Sequence, residues 1–163
     1  MASRRDHKLL EPGSQAPRFR LEGLEGGETS LDDWTRRGPV LLAFFKVACP
    51  VCQLTFPFLE RIHRAGKLAI LAISQDAAPD TRQFHEHFGI SIPTLLDREE
   101  NGFPVSNAFG ISSVPSLFLL EGPQGTVTRV IEGWQKREIE ALGTLAGIEA
   151  IRSDDHVPEW KPG

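Results

Sequence analysis

Residues 39–52 read PVLLAFFKVACPVC. Val40 to Phe45 is an unbroken apolar run of strand length, the pattern of a strand buried on both faces, as in parallel sheets. Just beyond it lie the only two cysteines of the chain, Cys49 and Cys52, three positions apart with Pro50 between them. The next stretch, QLTFPFLERIHRAG, carries Leu54, Phe58, Leu59 and Ile62 at helical spacing and stops at Gly66. Pro57 has no N–H to donate and predicts a kink inside that helix. The cysteine pair is therefore expected in the turn between a buried strand and a helix.

That placing has a chemical meaning. Cys49 stands at or just before the first helical turn, where unpaired N–H groups and the positive end of the macrodipole face it. Such groups stabilise a thiolate, the nucleophilic form of cysteine. Cys52 lies one turn deeper on the same side of the helix. It can attack a mixed disulfide formed on Cys49 and release the partner. Pro50 suits the first helical position, because the N–H it lacks would be unpaired there anyway. It also removes one donor that would help to hold the thiolate.

Two other uses of the pair compete. A structural bridge across so small a loop would constrain the unfolded chain little. In a reducing cytosol a lone pair is more often catalytic or metal-binding than a staple. C-x-x-C is also half of a zinc site, with His7, His63, His85, His87 and His156 as candidate ligands. No second C-x-x-C occurs, and His85 and His87, two apart, point to different sides of a helix. His63, His85 and His87 are expected as solvated helix-face residues, and no metal is expected.

Composition narrows the class. The chain has 163 residues, 40% hydrophobic and 25% charged, the balance of one soluble globular domain. The formal net charge is -4 and no basic stripe stands out, which excludes a nucleic-acid partner. The first residues lack the apolar core of a signal peptide. No apolar run approaches the roughly 20 residues needed to cross a bilayer. A cytoplasmic protein without membrane insertion is expected, with export left open if a leader has been lost.

Working outward, Ser30 with Asp33 three residues later opens a short helix. KLAILAIS reads as a second buried strand, and APDTRQFHEHFG as a helix with Phe84 and Phe88 on one face. SIPTLLD is a short strand, FPVSNAFG a short helix and PSLFLLE another buried strand. GPQG turns into TVTRVIEGW, a strand with alternating apolar residues, so these last two strands should be antiparallel. KREIEALGTLAGIEAI closes as an amphipathic helix. Strands separated by helices predict an α/β fold, a mixed central β-sheet with helices on both faces. Residues 1–11 read as a flexible arm, 12–150 as the domain and 151–163 as a tail that is either disordered or draped over the domain. Trp34, Trp134 and Trp160 are expected as peripheral core residues.

Four stretches together resemble the thioredoxin-like superfamily, nearest to its redoxin and TlpA/ResA-type thiol–disulfide oxidoreductases. That branch overlaps with the alkyl hydroperoxide reductase and thiol-specific antioxidant group. The stretches are GSQAPRFRLEGLEGGETSLDDW, PVLLAFFKVACPVC, FGISSVPSLFLLEGPQG and the closing helix, spanning about Pro12 to Gly147. The resemblance implies a thioredoxin-like fold, with Pro115 cis and opposite the cysteines. Val114 would then offer its N–H and C=O to an extended partner peptide. Without it, a trans Pro115 that begins a strand would fit as well. Glu132–Trp134 would either line the active face near Pro115 or form a strand-end turn.

Departures from the family pattern are specific. The buried Asp six residues before the first cysteine is Ala43 here, and the Glu three after the second is Thr55. Such a carboxylate moves protons to and from the deeper thiol. Its task at Cys52 passes to water, another side chain or a partner group. The Trp before the first cysteine is Ala48. Lys46 is either a charge that favours the Cys49 thiolate or an ordinary exposed lysine. The intervening Pro50-Val51 lacks the His of strongly oxidising relatives. The expected potential lies toward the reducing half of the range from about -270 to about -120 mV.

The resemblance implies a dithiol–disulfide oxidoreductase that reduces protein disulfides, needing no cofactor beyond its own Cys49–Cys52 disulfide. Its partners would be protein disulfides and an electron-donor reductase. Two other functions compete. One is a thiol peroxidase with Cys49 oxidised by peroxide, although Lys46 stands where that motif has Thr. The other is a non-catalytic module that holds a metal or a partner through its sulfurs.

Overall fold

Apolar side chains at every position of residues 40–45 demand cover on both faces and both edges, and the computed structural model, which describes residues 8–163, supplies it. In chain order the first elements are β1 (Arg20–Gly23), β2 (Glu28–Ser30), α1 (Leu31–Thr35), β3 (Val40–Phe45) and α2 (Pro50–Arg64). Then come β4 (Ala69–Ser74), α3 (Ala78–Phe88), β5 (Thr94–Leu96), a 3-10 turn at Glu99–Asn101 and α4 (Pro104–Ala108). The last are β6 (Ser116–Glu121), β7 (Thr126–Glu132), β8 (Trp134–Gln135), α5 (Lys136–Leu145) and β9 (Trp160–Lys161). Seven strands form one sheet in the order β2-β1-β5-β4-β3-β6-β7.

Strand β3 lies between parallel β4 and antiparallel β6, with Leu42 opposite Leu71 on one side and Phe118 on the other. Its two phenylalanines point to opposite faces, as period 2 requires. Phe45 packs with Phe56 of α2 and Phe84 of α3, at centroid distances of 4.3 and 5.1 Å. Phe44 packs with Phe109 and Phe118 at 5.1 and 5.8 Å, on the side covered by α4. Each buried ring contributes about 2–3 kcal/mol of transfer free energy. The sheet is mixed and carries helices on both faces, as read from the sequence.

Local chemistry sets the helix ends. Ser30 and Asp33 form a reciprocal capping box on α1. Gly89, in the left-handed region at φ 65°, ends α3. Helix α2 runs through Pro57 without a break. Glu60 pins its far end: the carboxylate accepts from the Ser91 N–H (2.7 Å), the Ser91 hydroxyl (2.6 Å) and Arg64 (2.9 Å). Burial opposes its charge, but those donors outweigh burial and hold the group below the usual carboxylate range.

The structure departs from the sequence reading at both ends of the chain. Residues 1–7 of the expected arm lie outside the described residues. Leu9 and Leu10 pack on the core, and the Leu10 N–H donates to Phe109 O at 3.2 Å. An apolar dipeptide has more to gain against the sheet than in water. The single strand expected over TVTRVIEGW divides at Gly133 (φ 69°) into β7 and β8. Helix α5 stops at Leu145, short of the expected 151, because Gly147 (φ 73°) turns the chain back and Ala150 packs on Gly143. The expected tail is ordered: β9 pairs antiparallel with β8, Trp134 opposite Lys161. Trp134 is fully buried against Phe58, its indole N–H donating to Pro158 O at 2.6 Å, whereas Trp160 is 61% exposed. Trp160 is thus no core residue; its partner in β8, Gln135, offers it no apolar cover.

Candidate active site

Strand β3 delivers the chain to the sheet edge, and residues 46–48 turn it into α2, with the Cys49 N–H donating to Lys46 O at 3.3 Å. Cys49 is the N-cap of α2, and its sulfur accepts from the Cys52 N–H at 3.2 Å. A sulfur thus fills the capping role usually played by an oxygen. Pro50 occupies the first helical turn, as expected, and is exposed. Both cysteines are free thiols; Cys49 is half-buried and Cys52 is fully buried.

The Val114–Pro115 peptide is cis, and the Cys49 thiol donates to Val114 O at 3.4 Å. The expected opposition of Val114 and Pro115 to the cysteines is therefore present in the geometry. Pro115 itself is buried, and its carbonyl accepts from the Gly133 N–H at 2.9 Å. Glu132–Trp134 therefore does adjoin Pro115, through the Gly133 backbone; the Trp134 side chain faces the core.

Cys52 differs from Cys49 in environment. Burial pushes its thiol well above the usual cysteine range, and the hydrogen bond with Cys49 adds to this. A backbone N–H of Lys46 works the other way, while negative charge on Cys49 and Asp76 raises it further. The outer thiol meets solvent and the inner one keeps its proton.

Sequence reasoning missed the groups that hold the loop. Asp76 accepts from the Val47 N–H at 2.8 Å, and the Gln53 side-chain amide donates to Val47 O at 2.9 Å. The peptide links on both sides of Val47 are thereby fixed between the end of β4 and α2. Ser74 in turn accepts from the Asp76 N–H at 3.1 Å. One signal for Asp76 was available: it follows the C-terminal end of a parallel strand beside the cysteine strand, where α/β sheets place their sites. A groove of about 200 Å³ opens beside Val114, with Lys46, Gln75, Phe103 and Ile111 among its walls. Its α4 wall is fixed by the buried Asp97, which accepts from the Val105 and Ser106 N–H groups at 3.2 and 2.7 Å.

The two expected modulators are placed differently. Thr55 is fully buried and its hydroxyl donates to Val51 O at 2.7 Å, a bond within its own helix that takes it out of the cysteine chemistry. Lys46 is exposed on the groove wall. His85 is not a solvated residue: it is half-buried, its ring bonds Thr94 Oγ1 at 2.9 Å, and burial lowers its proton affinity. His7 lies outside the described residues. Among the described residues no three His, Cys, Asp or Glu side chains are grouped to hold a metal ion, and no helix is long and apolar enough to cross a membrane.

Comparison with known proteins agrees with this site. The profile of the AhpC/TSA family matches residues 12–130. The thiol-disulfide oxidoreductase ResA of Geobacillus thermodenitrificans is 32% identical over 130 residues, covering 77% of this chain and 72% of that relative. The thioredoxin domain of a thiol-disulfide oxidoreductase from Bacteroides vulgatus superposes with a TM-score of 0.69 at 24% identity, covering 77% of this chain and 91% of that domain. Peroxidoxin BcpB from Mycobacterium tuberculosis superposes with a TM-score of 0.69 at 22% identity, covering 88% and 99%. The fold is that of thioredoxin.

The raised Cys52 thiol has a consequence for stability. Between the unfolded cysteine value near pH 8.5 and the higher folded one, the native state holds a proton that the unfolded chain has lost. The contribution is complete below about pH 8.5 and shrinks as pH rises, by up to about 1.4 kcal/mol per pH unit. Denaturant unfolding of the reduced protein from pH 8 to 10 should show this decline, and Cys52→Ala should flatten it. An equal slope in the two proteins would exclude Cys52 as its source.

Proposed function

This chain belongs to the AhpC/TSA family and groups with the ResA thiol–disulfide oxidoreductases, and we propose that it reduces disulfides of protein substrates through Cys49 and Cys52. One observation carries the reading: a half-exposed sulfur capped by the Cys52 N–H stands directly above a second, buried thiol.

The thiolate of Cys49 attacks one sulfur of the substrate disulfide. A Cys49–substrate disulfide forms, and the other substrate sulfur leaves as a thiolate. Cys52 then loses its proton to that departing thiolate or to water and attacks the Cys49 sulfur. The second substrate thiolate leaves, and the Cys49–Cys52 disulfide holds the oxidised state. Two electrons pass to the substrate, and an external dithiol reductase restores the pair. Asp76 and Gln53 act as positioning residues, since they fix the peptide links of Val47.

Val114 O has a double use in this scheme. It accepts the Cys49 S–H in the resting thiol. Ionisation of Cys49 removes that donor and leaves the carbonyl unpaired. An extended substrate peptide can then satisfy it with a backbone N–H, in the manner of strand addition.

Cys49→Ser should abolish exchange, and Cys52→Ser should accumulate a covalent mixed disulfide visible by non-reducing electrophoresis. Full turnover by Cys52→Ser would exclude the two-thiol scheme. An equilibrium titration against glutathione should place the potential toward the reducing half of the thioredoxin-to-DsbA range; a value near the oxidising end would reverse the direction. The likeness to a peroxidoxin and the family itself support a second reading, thiol peroxidase. Lys46 in place of the motif Thr argues for slow reaction with hydrogen peroxide. Stopped-flow oxidation of the reduced protein decides between them, a fast reaction favouring the peroxidase.

A further inference from the structure

The Val114 carbonyl has a second neighbour besides the Cys49 sulfur. A methyl group on Gly163 would stand 2.7 Å from Val114 O, so the Gly163 backbone packs directly on that peptide group. Gly133 ties the two together. Its N–H donates to Pro115 O at 2.9 Å, and a side chain on it would run into Lys161 O and stand 2.8 Å from the Gly163 N. The segment Trp160–Gly163 thus runs along the ground where an extended peptide would pair with Val114.

Its anchorage is uneven. Upstream, Asp155 takes two hydrogen bonds from Arg61 at 2.6 and 3.0 Å, and Trp134 holds Pro158 O. Beyond Glu159 the segment is exposed and held by the two-residue pairing of β8 with β9. A ladder that short is marginal alone, so this stretch opens at low cost while its root stays fixed.

We infer that residues Trp160–Gly163 determine which disulfides reach Cys49: this strand lies on the Val114 recognition backbone and must lift for a protein substrate, while a small disulfide passes it. The inference rests on the reading of Val114 as substrate-recognition backbone. It makes the segment an internal competitor that selects substrates by size and by their capacity to replace a strand.

Two full-chain variants test it. Gly163→Ala places a methyl against Val114 O at an exposed position without a positive φ. Lys161→Pro removes an N–H from the β8–β9 ladder. Reduced wild type and variants are mixed with insulin and, separately, with the small aromatic disulfide 5,5′-dithiobis(2-nitrobenzoate). Insulin reduction should accelerate severalfold in both variants, with the small-disulfide rate unchanged. In Cys52→Ser linked to a cysteine peptide, the amide of Lys161 should exchange faster with deuterium than in the free protein. Variants that reduce insulin no faster than wild type, or that speed both reagents equally, would overturn the inference while leaving the proposed function standing. If no form reduces insulin although all react with the small disulfide, the protein-disulfide reading fails and the selection role falls with it.

Discussion

Everything at the active end turns on one sulfur held between two backbone groups of opposite demand. The Cys52 N–H donates to the Cys49 sulfur, and Val114 O accepts the Cys49 proton. Neither group is a side chain, and each belongs to an element whose place the sheet decides. The first is set by α2 leaving the edge of β3, the second by the turn into antiparallel β6. Phe45 against Phe56 ties β3 to α2 on one face, and Phe44 with Phe118 ties β3 to β6 on the other, so both segments are held to the same strand.

The contrast between the two thiols follows from the same placement. A helix that starts at the rim puts its cap residue in partial contact with water and its next turn under the protein. Cys52 is therefore buried by position, whatever its neighbours. The family's usual carboxylates are absent at Ala43 and Thr55; the acid whose charge reaches Cys52 is Asp76, and it is committed to the Val47 N–H. Its negative charge discourages ionisation of Cys52.

How much of this could be read from the chain depends on the kind of signal. Val40–Phe45, the Cys49–Cys52 spacing and Ser30 with Asp33 are local patterns, and they determined strand, active turn and cap correctly. Val114-Pro115 was legible through resemblance to a known family; its facing the sulfur is a contact across 65 positions of chain. Asp76 and Gln53 were invisible because a polar residue in a loop is solvated by default, and only assembly shows which backbone groups it serves. Strand β9 escaped for a related reason. Two prolines and several charges around Trp160 look like a tail, and the partner that orders it, Trp134–Gln135, is itself a remnant split from a longer apparent strand by Gly133. His85 was misjudged through a single contact, to Thr94, that no periodicity encodes.

The position of Gly163 against Val114 bears on how the protein is handled in the laboratory. Any affinity handle or fluorescent fusion joined after this residue would emerge within reach of the reactive sulfur. Such an addition would sit at the mouth of the catalytic groove rather than at a remote pole of the molecule.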